Sequence, residues 1–292
     1  MRIMLTGASG LLGRHTAKLL RERGHSVITV ARNRKLDGET ILADLSSPAE
    51  LERLPKEFDC LVHLAAVLPA PNKAIGNEAW FLTNTQATLN LLEFCSRNKV
   101  RNFVYGSTWS VYGMAPEGAP YTEDAEPRPT DLYSLSKLSG ELLTSPYQFN
   151  YGLEIKILRF SYIYGPGMRE DTVVEKFIDF AVQGRAIPLL NQGRDGTDLV
   201  YVEDAAKAIE AALSRGRGIY NVGSGEPVTI KRLAEAVIDL TRSSSRLEVG
   251  EQASEAKIRY VSIEKAMSEL DWKPGNTLRS GLKMLIDQRR PF

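Results

Sequence analysis

The sequence predicts an α/β fold, a doubly wound parallel sheet with a smaller C-terminal α/β lobe, and three observations carry that prediction. Short, continuously apolar runs recur through the first 160 residues, as strands buried on both faces require. Segments with helical spacing lie between several of them, so the strands connect by right-handed crossovers and run parallel. Gly7, Gly10 and Gly13 follow the first run at once and lead into a helix.

Taken in order, strands are expected at 3–5, 27–30, 40–42, 60–64 and 103–105. A helix over 11–23 sets Leu12, Leu19 and Leu20 on one side, and another over 80–97 carries Leu82, Leu89, Leu92 and Phe94. After the proline-rich loop 125–130 comes a helix over 133–143, then a strand over 155–160. From Ser161 the texture changes. The loops YGPGMRED, NQGRDGTD and VGSGEPV separate helices over 173–183, 202–214 and 230–239, and the serine-rich, charged stretch 242–254 is expected as a solvated loop. Residues 1–160 are therefore read as a dinucleotide-binding domain and 161–292 as a substrate lobe interleaved with the main sheet.

Composition narrows the function. Of 292 residues, 37 are Lys or Arg and 36 Asp or Glu, so there is no basic excess to coat a nucleic acid. Cys60 and Cys95 make no disulfide framework and stand in no CxxC motif. Three histidines, at 15, 25 and 63, give no histidine-built metal site; His63 and the cysteines read as core. No uninterrupted apolar stretch reaches the roughly 18 residues of a membrane span, and glycines interrupt the first ten residues before a signal-peptide core forms. A cytoplasmic enzyme with a small-molecule substrate, and no nucleic-acid or membrane partner, is expected.

The glycine cluster after the first strand suits a pyrophosphate. Gly7, Gly10 and Gly13 allow a tight turn and close approach, and the helix N-terminus offers free N–H groups and a positive dipole end. At the end of the second strand stands Arg32, within Ala31-Arg32-Asn33-Arg34-Lys35, with no carboxylate before Asp37. A planar guanidinium suits the 2′-phosphate of NADP, which is favoured here over NAD; a solvated basic loop is the other reading. Tyr133 and Lys137, four residues apart on one helix face, form an acid–base pair in which an ammonium lowers the pKa of a phenol. Thr108, at the end of the strand before that helix, offers a hydroxyl to a substrate oxygen.

These motifs resemble the extended short-chain dehydrogenase/reductases, specifically the NAD-dependent epimerase/dehydratase family. The matching stretches are TGASGLLG (6–13), ADL (43–45), LVHLAA (61–66), NTQATLNLLEFC (84–95), FVYGSTWSVYG (103–113) and YSLSK (133–137). LRFSYIYGPG (158–167), DLVYVEDAAKAI (198–209), YNVGSGEPVTI (220–230) and, more loosely, LDWKP (270–274) follow in order. The resemblance implies a Rossmann fold and a role for each matching position. Gly7, Ser9, Gly10, Leu11, Leu12 and Gly13 would surround the pyrophosphate. Asp44 and Leu45 would contact adenine, with a helix cap as the alternative for Asp44. Ala65 and Ala66 would line the cofactor, Asn84 would hold it and nearby backbone, and Lys137 would bind the nicotinamide ribose. Thr108, Tyr133 and Lys137 would be catalytic, with Ser107 the alternative to Thr108.

Four departures from the family matter. Its 4,6-dehydratases follow the catalytic threonine with an acidic pair that eliminates water; here Trp109 and Ser110 fill those places, which argues against dehydration. Tyr162 replaces a substrate-facing asparagine, so the pocket floor differs. Thr197 stands where an arginine usually precedes the aspartate found here as Asp198; the nearest arginine is Arg194, and Arg169 either substitutes or is a solvated loop residue. Ser262 replaces an aspartate, with no consequence that the residues reveal.

The expected activity is NADP(H)-dependent reduction of a nucleotide-linked 4-keto sugar, with NAD(H) possible. The alternative is a nucleotide-sugar epimerase that retains its cofactor. A reductase of non-nucleotide ketones and a non-catalytic dinucleotide sensor rank lower. Substrate contacts are expected from Val67, Trp109, Ser110, Tyr162 and Arg169, and specificity from the loops 67–75 and 168–172. The resemblance also implies a homodimer formed through helices 80–97 and 133–143, to which Leu135, Leu138 and Leu142 contribute unless they belong to the core.

Overall fold

The computed structural model describes residues 1–68, 77–113, 120–250 and 254–289. Most of loop 67–75, expected to set specificity, therefore lies outside the described residues. The chain opens with β1 (Arg2–Thr6), α1 (Leu11–Glu22), β2 (Ser26–Ala31), β3 (Thr40–Leu42), α2 (Pro48–Leu51) and β4 (Cys60–His63). Next come α3 (Asn77–Arg97), β5 (Asn102–Thr108), α4 (Leu132–Tyr151), β6 (Glu154–Phe160), β7 (Tyr162–Tyr164), α5 (Val173–Val182) and β8 (Ile187–Leu189). The rest comprises β9 (Gly196–Tyr201), α6 (Val202–Ala212), β10 (Gly218–Val222), β11 (Pro227–Thr229), α7 (Ile230–Thr241), β12 (Leu247–Val249), α8 (Glu264–Glu269) and α9 (Leu278–Arg289).

Seven parallel strands form the central sheet in the order β10-β6-β5-β4-β1-β2-β3. The central strands are apolar on both faces because helices cover both. Ile3, Leu5, Cys60, Val62 and Val104 pack with α1 and α6 on one side; Met4, Leu61, Phe103 and Tyr105 pack against α3 and α4 on the other. The order reverses between β1 and β4, and in such sheets ligands bind beyond the carboxyl ends of the strands at that reversal. That is where the glycine turn leaves β1.

The C-terminal stretch is not separate from this sheet. Its strand β10 pairs in parallel with β6, while β7, β9 and β11 form a small three-stranded sheet and β8 and β12 a two-stranded one. A second apolar cluster, including Phe177, Ile178, Leu233, Val237 and Leu285, sits among α5, α7 and α9.

Two expectations are corrected. The stretch 242–254 is not all loop: residues 247–249 form β12, because Ile187 of β8 donates to Arg246 O at 2.9 Å and the short strands align. The helix expected to end at 143 runs on through Pro146 to Tyr151. Tyr147 holds the extra turns, donating to Glu93 of α3 at 3.0 Å and stacking on Tyr151. Gly152, at φ +67°, then supplies the left-handed C-terminal residue.

Candidate functional site

A cavity of about 580 Å³ opens at the carboxyl ends of β1, β4 and β5. Its inner end is the β1–α1 turn. Gly7 has φ +74°, and a Cβ there would lie 2.5 Å from the Ala65 backbone nitrogen. A Cβ on Gly13 would lie 2.1 Å from Gly7 O, so only glycine lets α1 begin this close to the strand. Helix α1 has no side-chain cap, and its hydrogen-bond ladder begins with Arg14 N on Gly10 O at 3.1 Å. The N–H groups of residues 11–13 precede that bond, at the positive end of the dipole and on the cavity wall. This turn fits an anionic pyrophosphate.

Most of the expected cofactor residues converge on the same wall. Gly7, Ser9, Gly10, Leu11, Leu12, Gly13, Arg32, Asp44, Leu45, Ala65, Ala66 and Asn84 all line it. Asn84, buried on α3, accepts from Val67 N at 2.7 Å and donates to Val67 O and to Ser136 Oγ, which ties the end of β4 to α3 and α4. Asp44 accepts from both the backbone nitrogen and the hydroxyl of Ser46; these bonds, with the charge of Arg32, hold its carboxyl below the usual range. The wall beside exposed Arg32 thus carries an anion as well as a cation. His63 is core as expected: its ring bonds Thr6 Oγ1 and Thr88 Oγ1, and burial pulls its pKa down to about 3.

Thr108, Tyr133 and Lys137 meet at the cavity's other end. Helix α4 starts at Asp131, whose carboxylate accepts from Ser134 N at 2.8 Å, and its first turns carry Tyr133 and Lys137. Thr108 ends β5, and its hydroxyl accepts from Ser110 N at 3.2 Å and meets Ser110 Oγ at 3.0 Å. Ser134 Oγ continues this chain of hydroxyls, lying 2.8 Å from both Ser110 Oγ and Asp131 Oδ2. Neither the Tyr133 hydroxyl nor the Lys137 ammonium has a hydrogen-bond partner among the described residues. Burial pushes the Tyr133 phenol up to about 12 and draws Lys137 down to about 7. The low phenol pKa expected from the pair is therefore absent from the protein alone: Lys137 Nζ lies over the Tyr105 ring, 4.2 Å from its centre, and Asp131 pushes the phenol the same way as burial.

Val67, Trp109 and Tyr162 line the cavity as expected. Two of the expected substrate residues do not. Ser110 is committed to its neighbours' hydroxyls, and Arg169 ion-pairs with Asp171 in an exposed loop. Ser107 is no substitute for Thr108, because it donates to Glu141 at 2.5 Å. Glu141 in turn ion-pairs with Arg159 at 2.6 Å, both buried, beneath the site. Sequence reasoning passed over that pair, although Glu141 follows Lys137 by one helical turn.

The family model described as "NAD dependent epimerase/dehydratase family" matches residues 3–223. The chain is 30% identical to the uncharacterized UDP-glucose epimerase YtcB of Bacillus subtilis, over 97% of this chain and 96% of that protein. It is 32% identical to dTDP-glucose 4,6-dehydratase of Streptomyces griseus, over 78% of this chain and 70% of that one. The Thermus thermophilus UDP-glucose 4-epimerase, solved in complex with NAD, superposes with a TM-score of 0.86 at 29% identity, covering 98% of each chain. The preference for NADP expected from Arg32 gains no support from these relatives.

Proposed function

The chain belongs to the NAD-dependent epimerase/dehydratase family, enzymes of the extended short-chain dehydrogenase/reductase type, and from that premise we propose that it is a 4-epimerase of a UDP-linked sugar that retains NAD through turnover. One observation carries this reading against dehydration. Among the described residues that line the cavity, Asp44 is the only carboxylic acid, and it stands with Leu45 and Ser46 rather than beside Thr108. Water elimination needs an acid at the sugar end. Proton removal and return at one hydroxyl need only the Thr108, Tyr133 and Lys137 set, which is there. The reductase expectation gives way to its epimerase alternative, which the epimerase relatives favour.

In this reading Gly7, Gly10 and Gly13, with the free N–H groups of α1, hold the pyrophosphate, and Asp44 and Leu45 flank the adenosine. Ala65, Ala66 and Asn84 line the middle, and Lys137 reaches the nicotinamide ribose. Held by these residues, NAD would supply the hydride acceptor and donor for a secondary alcohol carbon. Thr108 orients the sugar hydroxyl through its own. Tyr133 takes the hydroxyl proton as the carbonyl forms and gives it back as the carbonyl is reduced from the other face. Burial keeps the phenol protonated at rest, so it must first give its own proton to solvent before it can take the sugar's, and the ammonium of Lys137 stabilises the phenolate so formed. Trp109, Tyr162 and Val67 wall the sugar. Residues 1–160 serve chiefly the dinucleotide and 161–292 the substrate.

A homodimer completes the proposal. Leu135 and Leu142 are exposed on α4, at 37% and 67%, whereas Leu138 packs inward against the cluster of Val111 and Tyr112. Incubation with UDP-glucose and no added nucleotide tests the function. The expected product is the C4 epimer, read by NMR; a dehydrated 4-keto-6-deoxy product, or unchanged substrate for every UDP-sugar tried, would overturn it.

A further inference from the structure

We propose that Asp131 is a positioning residue: through Ser134 and Ser110 it turns the proton of the Thr108 hydroxyl inward, so that Thr108 meets the reacting oxygen of the substrate as an acceptor. The proposal rests on the nucleotide-sugar reading above, in which that oxygen is a sugar hydroxyl that becomes a carbonyl.

The chain of groups begins at an exposed carboxylate and ends in the cavity. Asp131 stands just before α4; its Oδ1 accepts from Ser134 N and its Oδ2 from Ser134 Oγ, each at 2.8 Å. Ser134 is fully buried, and its Oγ lies 2.8 Å from Ser110 Oγ. Ser110 Oγ lies 3.0 Å from Thr108 Oγ1, and Ser110 N donates to that same oxygen at 3.2 Å. Of these four residues, Thr108 alone lines the cavity.

Counting protons fixes the direction of the chain. An ionised carboxylate accepts and cannot donate, and its bond to a hydroxyl is roughly twice as strong as one between two hydroxyls. Each hydroxyl has a single proton to give. The Ser134 proton therefore goes to Asp131, Ser134 then accepts from Ser110, and Ser110 accepts from Thr108. Thr108 is left with its proton committed and one lone pair taken by Ser110 N. What it offers the cavity is the other lone pair. That suits an alcohol, which donates. A ketone only accepts, and its donor is the Tyr133 phenol instead.

Asp131→Asn separates this role from helix capping. The amide oxygen still caps Ser134 N, while the amide nitrogen donates to Ser134 Oγ and so runs the chain outward, giving Thr108 a proton to offer. The test measures binding to the NAD-loaded full-length protein by calorimetry, with UDP, UDP-glucose and UDP-4-keto-6-deoxyglucose, whose C4 is already a ketone. Asp131→Asn should leave UDP unchanged and shift the ratio of the two sugar affinities by about tenfold toward the ketone. Ser134→Ala, which cuts the chain but keeps the bond from residue 134 N to Asp131, should shift it the same way by less. A purely structural role weakens both sugars together and leaves the ratio where it was. An unchanged ratio in Asp131→Asn, or a shift toward the alcohol in either variant, would overturn the proposal; should Asp131→Asn fail to fold, Ser134→Ala decides alone. A wild type that binds neither sugar overturns it together with the UDP-sugar reading. The expected shift in a protein that epimerises no UDP-sugar contradicts the epimerase reading alone.

Discussion

Tyr133 and Lys137, one helical turn apart, are displaced from their ordinary pKa values in opposite directions by the same leading cause. Burial disfavours the charged form of each, so the phenol rises to about 12 and the ammonium falls to about 7. Replacing Tyr133 with Phe should lower kcat by at least about a hundredfold while NAD affinity stays within a few-fold, read by turnover and by titration of the cofactor. Lys137 also predicts a pH effect on stability. Its folded value lies below its ordinary value of 10.5, so between about 7 and 10.5 the unfolded chain holds more protons and this group's contribution rises with pH. Urea unfolding at pH 7 and pH 10 should show that rise, and Lys137→Met should remove it. The spacing of the pair was legible in the sequence, but its electrostatics were not, because burial and the position of the Tyr105 ring are properties of the fold. The setting of Arg32 was hidden for a related reason: Asp44, whose carboxylate its charge favours, is twelve residues away in the chain and near it only in the folded protein.

At the scale of elements, α4 must carry Tyr133 and Lys137, the proposed acid–base pair, at a fixed distance from the end of β5. The buried Glu141 does this joining, since it accepts from Ser107 of β5 and pairs with Arg159 of β6. Arg159 also lies 4.7 Å from the centre of the Tyr112 ring. Glu141→Ala would leave Arg159 buried without its counter-charge, a loss of about 3–5 kcal/mol measurable by denaturant unfolding. The β1–α1 turn is as intolerant: Gly13→Ala drives a methyl into Gly7 O, and weakened NAD binding with a lowered Tm is the expected result. Long apolar strands and amphipathic helices were readable because their period alone announces them. The three-residue strands β7, β8, β11 and β12 were not, since, unlike the equally short β3, they lie outside the main sheet and their pairing is decided by distant segments.

For the molecule as a whole, the strand order decides where chemistry happens. The reversal between β1 and β4 opens the cavity, the glycine turn meets one end of it, and β5 and α4 deliver Thr108, Tyr133 and Lys137 to the other. The C-terminal stretch closes round this through β10, a strand whose membership of the main sheet no local pattern announces. A second copy of the chain would cover the exposed leucines of α4. Sedimentation should then give a dimer, and Leu142→Glu, at a side chain 67% exposed, should give a folded monomer.

The central claim is that NAD stays in the cavity and is recycled within each turnover. Denaturing the purified protein and identifying the released nucleotide by mass and absorbance tests it most directly. NAD, close to one per chain, is the expected release. A protein that releases no nucleotide, then binds NADPH better than NADH and consumes it against a 4-keto sugar, would contradict the account and restore the reductase.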